Sequence, residues 1–196
     1  MTQSDLASED LARASLYGLL ARLFYRAPDA ELIGALAGAS APEDPASPLG
    51  QAWEELVAAW REAPLEALED EHTALFIGTG KAEVTPYLSH YVIEHSADNP
   101  LVELRDQLGR WGIARRAGAN EPEDHVAAVC EAMRFAIAVQ HRTLAEQKFF
   151  FERFVYPGAM GFCDAVSASE SARFYRHAAR FLRAFLEVER EAFEIG

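Results

Sequence analysis

Asn120-Glu121-Pro122-Glu123-Asp124-His125, followed by Val126, Val129, Met133, Ile137 and Gln140 at helical spacing, is the stretch whose reading decides the fold. The spacing predicts a long amphipathic helix, and the six residues ahead of it carry what a helix start requires. Carboxylates there complement the positive end of the helix dipole. A proline in the first turn lacks only an N–H that has no intrahelical partner. With Asn120 as N-cap, Glu123 falls at the third helical position, the spacing of a capping box. A second reading stays open beside this one, in which three carboxylates and an imidazole at one place form a seat for a cationic ligand.

The same period runs through the rest of the chain. Leu16, Leu19, Leu20, Leu23 and Phe24 form a stripe stopped by Pro28, and Asp29 is placed to cap a short helix through Leu32, Ile33 and Leu36. Gly38 to Gly50 holds three prolines and reads as a loop. Trp53, Leu56, Val57 and Trp60 mark a third helix, and Leu68, His72, Leu75 and Phe76 a fourth. Ile77 to Pro86 is a loop with two glycines, and Leu101, Leu104, Leu108 and Trp111 define a further helix. Thr143 and Glu146 have capping-box spacing for a helix at Phe149–Val155, and the last stripe runs from Phe174 through Phe185 to about Glu194. Strand-like alternation is scarce, so the fold class is all-α. The length of 196 residues suits one domain. It divides into an N-terminal half of about 1–111, a glycine-containing basic hinge of about 112–121 and a C-terminal half of about 122–196.

A formal charge of −13 argues against nucleic acid, whose phosphates need a basic surface, and favours a cationic partner. No apolar run approaches the ~20 residues of a membrane span. Met1 to Asp10 is polar and acidic, unlike an export signal, so a cytoplasmic location is expected. Cys130 and Cys163 lie far apart in apolar surroundings, the pattern of buried thiols in a reducing compartment. None of His72, His90, His95, His125, His141 and His177 makes H-E-x-x-H or an i, i+4 pair, and no phosphate-loop motif occurs. No metal or organic cofactor is expected. A small helical metal-dependent hydrolase or nucleotide-binding protein is the rival class.

Three blocks carry a family resemblance. The first is Glu71-His72-Thr73-Ala74-Leu75-Phe76, then Pro86-Tyr87-Leu88-Ser89-His90-Tyr91; the second is Glu121-Pro122-Glu123-Asp124-His125-Val126, continued by Cys130-Glu131-Ala132-Met133; the third is Phe150-Phe151-Glu152-Arg153-Phe154-Val155-Tyr156-Pro157-Gly158. In this order they resemble the "E…LF … P-Y-E-S-x-Y", "E-P-x-D-H" and "F-[FL]-x-x-H-L-x-P-W" elements of the TorD/DmsD/NarJ family of cytoplasmic redox-enzyme maturation chaperones. Leu88, Phe154 and Gly158 depart from the family's usual Glu, His and Trp, so those three family roles do not transfer.

The resemblance implies a TorD-like multi-helix bundle of two packed halves and a chaperone rather than an enzyme. Its partner would be the twin-arginine signal peptide, or the apo-form, of a molybdenum-cofactor oxidoreductase catalytic subunit of the formate dehydrogenase or DMSO/TMAO reductase type. The wording around Glu121 and Cys130 looks most like the formate dehydrogenase branch; a NarJ-type assembly chaperone of a nitrate-reductase-like enzyme is the alternative. The implied peptide site comprises His72, Leu75, Phe76, Tyr87, Glu121, Pro122, Glu123, Asp124 and His125. Here the carboxylates receive guanidinium groups, and Leu75, Phe76 and Tyr87 line an apolar groove. Read without the resemblance, Leu75 and Phe76 are core, the acids are caps and His125 bonds a backbone carbonyl. The resemblance also brings weak guanine nucleotide binding, and a monomer able to form a domain-swapped dimer. Arg115-Arg116 sits mid-chain, so it is no export signal, and it offers charge to the nearby acids.

Overall fold

The computed structural model describes residues 7–39, 42, 44–78, 80–92, 99–114 and 121–195. The α-helices are α1 (Ser8–Tyr25), α2 (Ala30–Gly38), α3 (Pro48–Glu62), α4 (Leu65–His72), α5 (Pro100–Arg110), α6 (Val126–Ala138), α7 (Leu144–Phe150), α8 (Tyr156–Ala168) and α9 (Tyr175–Ile195). No strand occurs among the described residues, where Tyr87 and His125 form an isolated antiparallel bridge. The all-α expectation holds.

The helix starts follow from side-chain chemistry. The Asp29 carboxylate accepts the Leu32 N–H at 2.8 Å, and Ser47 and Asn99 cap α3 and α5, each ahead of a first-turn proline. Thr143 and Glu146 form a reciprocal capping box, so α7 starts at Leu144, earlier than expected. Two helices continue into a single π-helical turn, Thr73–Ile77 after α4 and Phe151–Val155 between α7 and α8.

One expectation is corrected. The acidic stretch is not the first turn of the long helix: α6 begins at Val126 and its N-cap is His125, whose Nδ1 accepts the Ala127 N–H at 3.1 Å. Asn120 and Arg115-Arg116 lie outside the described residues. The backbone supplies the reason. Val126 N–H donates to the Pro86 carbonyl and Leu88 N–H to the Asp124 carbonyl, each at 2.8 Å. Asp124 and His125 are therefore held against the 86–88 segment, and the helix begins only at Val126.

The core spans the whole chain. α1 packs along α6, and α3 and α8 pack on α9. Tyr17 meets Phe185 at 4.9 Å between ring centroids, Trp53 meets Phe181 at 5.3 Å and Trp60 meets Tyr175 at 5.2 Å. The N-terminal and C-terminal segments thus share one cluster rather than holding separate cores. Arg13 adds a buried tie, donating to both oxygens of Glu189 at 2.7 and 2.9 Å, with the Tyr17 hydroxyl on the same carboxylate.

Candidate functional site

The bridge between Tyr87 and His125 brings the first two sequence blocks together, and side chains reinforce it. The Tyr87 hydroxyl donates to Glu121 at 2.7 Å, and the Ser89 hydroxyl donates to Asp124 Oδ2. Arg105 of α5 donates to Glu123 at 2.8 Å. The hydrogen bond to Glu121 raises the Tyr87 phenol to about 12, with burial and the neighbouring negative charges adding to the shift. Tyr87, Glu121, Pro122, Glu123, Asp124 and His125 are thereby gathered at one place.

Asp124 is only 4% exposed, and its Oδ1 accepts no hydrogen bond from the protein. It borders a gap of about 20 Å³ shared with Ser89, Arg153 and Phe154, room for a water and too little for a guanidinium. In this conformation Asp124 holds the turn together; it does not face an open groove. His125 is equally buried, and burial lowers its pKa against the opposing pull of Glu121 and Asp124. Since its Nδ1 accepts from Ala127, the neutral ring carries its proton on Nε2.

His72, Leu75 and Phe76 do not line a groove. Leu75 is fully buried, Phe76 is 8% exposed, and Phe76 packs edge-on against Phe24, His72 and Tyr175. These residues support the site from behind, as the reading without the resemblance has it. A π-helical turn shifts the register of residues 73–77, so both apolar side chains enter the core.

The open surface lies on the other side of the acidic turn. A cleft of about 360 Å³ runs between the end of α1, Asp29, Leu32 and the start of α6, with Glu121, His125 and Glu131 on its wall beside Arg22 and Arg26, which pair with Asp29. A second of about 860 Å³ is lined by Leu108, Ile113, Ala132 and Phe135, beside Pro122 and Glu123. The two share Tyr25, Glu121, Ala128 and Glu131, so they adjoin. Sequence reasoning missed Tyr25 and Glu131. The available signal was Tyr25 as a large aromatic just before Arg26 and Pro28; in the structure it is 58% exposed.

The three departures from the family pattern meet at one spot. Leu88, Phe154 and Gly158 all border the small gap beside Asp124. A Cβ on Gly158 would sit 2.6 Å from the Leu88 carbonyl oxygen, so no larger residue fits at 158 while the Leu88–Tyr91 turn stays in place.

Comparison with known proteins begins with the fold. A crystal structure described as a redox enzyme maturation protein from Archaeoglobus fulgidus has a TM-score of 0.57 and 23% identity, over 89% of this chain and 93% of that one. At that identity the likeness speaks for the fold alone. A family model described as nitrate reductase delta subunit matches residues 42–187. The chain belongs to that family, the TorD/DmsD/NarJ family. Among curated relatives, the chaperone protein TorD of Aliivibrio salmonicida is 27% identical over 65% of this chain and 64% of its own length. The chain thus spans just under two thirds of that relative. TorD of Photobacterium profundum is 29% identical over 69% and 67%. A Haemophilus influenzae protein described as Tat proofreading chaperone DmsD is 29% identical over 85% and 84%. All three relatives carry the description of a chaperone.

Among the described residues no group of three or more His, Cys, Asp or Glu could hold a metal ion, and no helix is long and apolar enough to cross a membrane. Burial pushes both thiols, Cys130 and Cys163, up to about 12, which makes them poor nucleophiles.

Proposed function

We propose that this chain is a cytoplasmic chaperone for a molybdenum-cofactor oxidoreductase. It binds the twin-arginine signal peptide or apo-form of the catalytic subunit and holds back export until the cofactor is inserted. The observation that carries this reading is the pair of adjoining clefts, each mainly apolar and each with three carboxylates on its wall. A signal peptide has the matching chemistry, guanidinium groups followed by an apolar segment. Fixed carboxylates select the first through charge-assisted bonds, and the apolar lining takes the second. The formate dehydrogenase branch is the client favoured by the wording of the second block. A NarJ-type assembly role for a nitrate-reductase-like enzyme is the second reading, supported by the description of the matching family. The protein works without a metal or organic cofactor in this reading.

Burying ~400 Å² of apolar peptide surface contributes about 10 kcal/mol gross at 25 cal/mol per Å². Ordering the peptide and losing its translational freedom offset about 2–5 kcal/mol, which leaves affinity between roughly micromolar and a few hundred micromolar. Asp124 acts here as a positioning residue, through Ser89 and the Leu88 backbone. Calorimetric titration of the client's signal peptide tests both points. Asp124→Ala weakens binding about tenfold, because the turn carrying Glu121 and Glu123 loosens. Asp124→Asn, which keeps an acceptor for Ser89, stays within about threefold of wild type. Equal affinity of wild type and a folded Asp124→Ala protein removes Asp124 from the site. Absence of peptide binding by wild type sinks the function.

A further inference from the structure

We infer that Glu131 of α6 is the carboxylate that receives an arginine of the bound peptide, in exchange for the Arg134 guanidinium that it holds. The inference rests on the peptide-binding reading and assigns the guanidinium seat within it. Glu131 lines both clefts, so with Glu121 it stands at their junction, within reach of a peptide lying in either. The other carboxylates of the smaller cleft have structural work: Asp29 accepts the Leu32 N–H at the start of α2, and Glu121 accepts the Tyr87 hydroxyl. What Glu131 holds is already a guanidinium. Arg134 Nε donates to Oε2 at 2.7 Å and a terminal nitrogen donates to Oε1 at 2.5 Å, a two-point fork on one carboxylate.

The fold makes room for that fork. The Arg134 stem crosses α1 at Gly18, where an added Cβ would lie 3.0 Å from Arg134 Cδ. Glycine there lets the side chain lie flat, and Gly18 itself lines the smaller cleft. The pair is also weakly held. Its side chains are 37% and 50% exposed and belong to one helix, a setting in which ion pairs exchange readily with solvent and with competing charges. Tyr25, on the same shared wall, offers an exposed aromatic face on which a second planar cation can stack. A lysine ammonium can match neither the fork nor the stacking as well, so the arrangement selects arginine.

Two synthetic peptides test this by calorimetry. One carries two consecutive arginines ahead of a leucine- and alanine-rich segment; the other has lysines in their place. Wild type is expected to prefer the arginine peptide about tenfold. In Glu131→Gln the preference falls to about twofold or less, through loss of arginine affinity with the lysine peptide little changed. Arg134→Met keeps the stem over Gly18 and removes the competing fork, so it binds the arginine peptide about three- to fivefold more tightly than wild type. An arginine-to-lysine ratio in Glu131→Gln equal to that of wild type overturns the inference, as does an Arg134→Met protein no tighter than wild type. Both results leave the chaperone reading intact. If wild type binds neither peptide, that reading falls and the inference falls with it. Both positions are on the helix surface, and unchanged helical circular dichroism verifies that each variant is folded.

Discussion

His72 sits under Phe76 and Tyr175 with ring centroids 5.3 and 5.7 Å away, and it is 3% exposed. Neither ring nitrogen makes a hydrogen bond of ordinary geometry. Burial lowers its pKa from 6.5 to about 4; the Phe24 carbonyl opposes the shift without outweighing it, and nearby His125 adds to it. The unfolded chain therefore binds this proton more readily than the folded one. The stabilisation is fully present above pH 6.5 and is lost as pH falls from 6.5 towards about 4, at most about 3 kcal/mol. His125, lowered in the same direction, adds to the effect. Thermal unfolding of wild type is expected to shift to lower temperature between pH 7 and pH 5. His72→Leu fits the apolar pocket, and its midpoint should fall less over that range. Parallel curves for the two proteins would show that the His72 proton plays no part.

At the scale of the element, Glu71 explains how the longest helix starts. Its carboxylate reaches across the fold and accepts the N–H groups of Arg173, Phe174 and Tyr175 at 2.7 to 2.9 Å, the free donors at the head of α9. A distant residue thus replaces the local cap, and it ties α4 to α9 at the same time. Sequence reading places Glu71 in a motif beside Leu75 and Phe76 and gives it no such task, because its partners lie about a hundred positions away. Glu71→Ala should destabilise the protein by about 2–3 kcal/mol, since buried N–H groups lose an ionised acceptor. Urea unfolding with an unchanged slope and a lower midpoint is the expected record. A midpoint equal to that of wild type would mean that water serves those donors equally well.

For the molecule as a whole, the net charge of −13 sets a field that attracts a cationic peptide before any contact forms. Raising salt from about 50 to about 500 mM shortens the screening length from roughly 14 Å to roughly 4 Å, so association should slow several-fold while dissociation changes little. Stopped-flow fluorescence with a labelled signal peptide separates the two rates. Acceleration of dissociation alone would place the electrostatics inside the contact and not in steering. The α1–α6 and α3–α9 packings join N-terminal helices to C-terminal ones in a single core.

The helical class, the stripes that became α1, α3, α5, α6 and α9, and the Asp29 and Thr143 caps were all legible in the sequence. Each rests on neighbours within four residues, and a linear pattern records that range completely. The same holds for the loop at Gly78, where φ is +65° and an added Cβ would lie 2.1 Å from the Lys81 carbonyl oxygen, a geometry that glycine alone adopts without strain. What only the tertiary structure decided depends on groups far apart in the chain. Leu75 and Phe76 look identical as core or as groove until a π-helical turn sets their register. The acidic stretch reads as a helical first turn until the Pro86 carbonyl takes the Val126 N–H. Asp124 reads as a free carboxylate until Ser89 and the 86–88 segment close over it. The physical reason is the same in each case: helix periodicity is a local property, whereas burial and hydrogen-bond partnership are settled by which distant segments pack together.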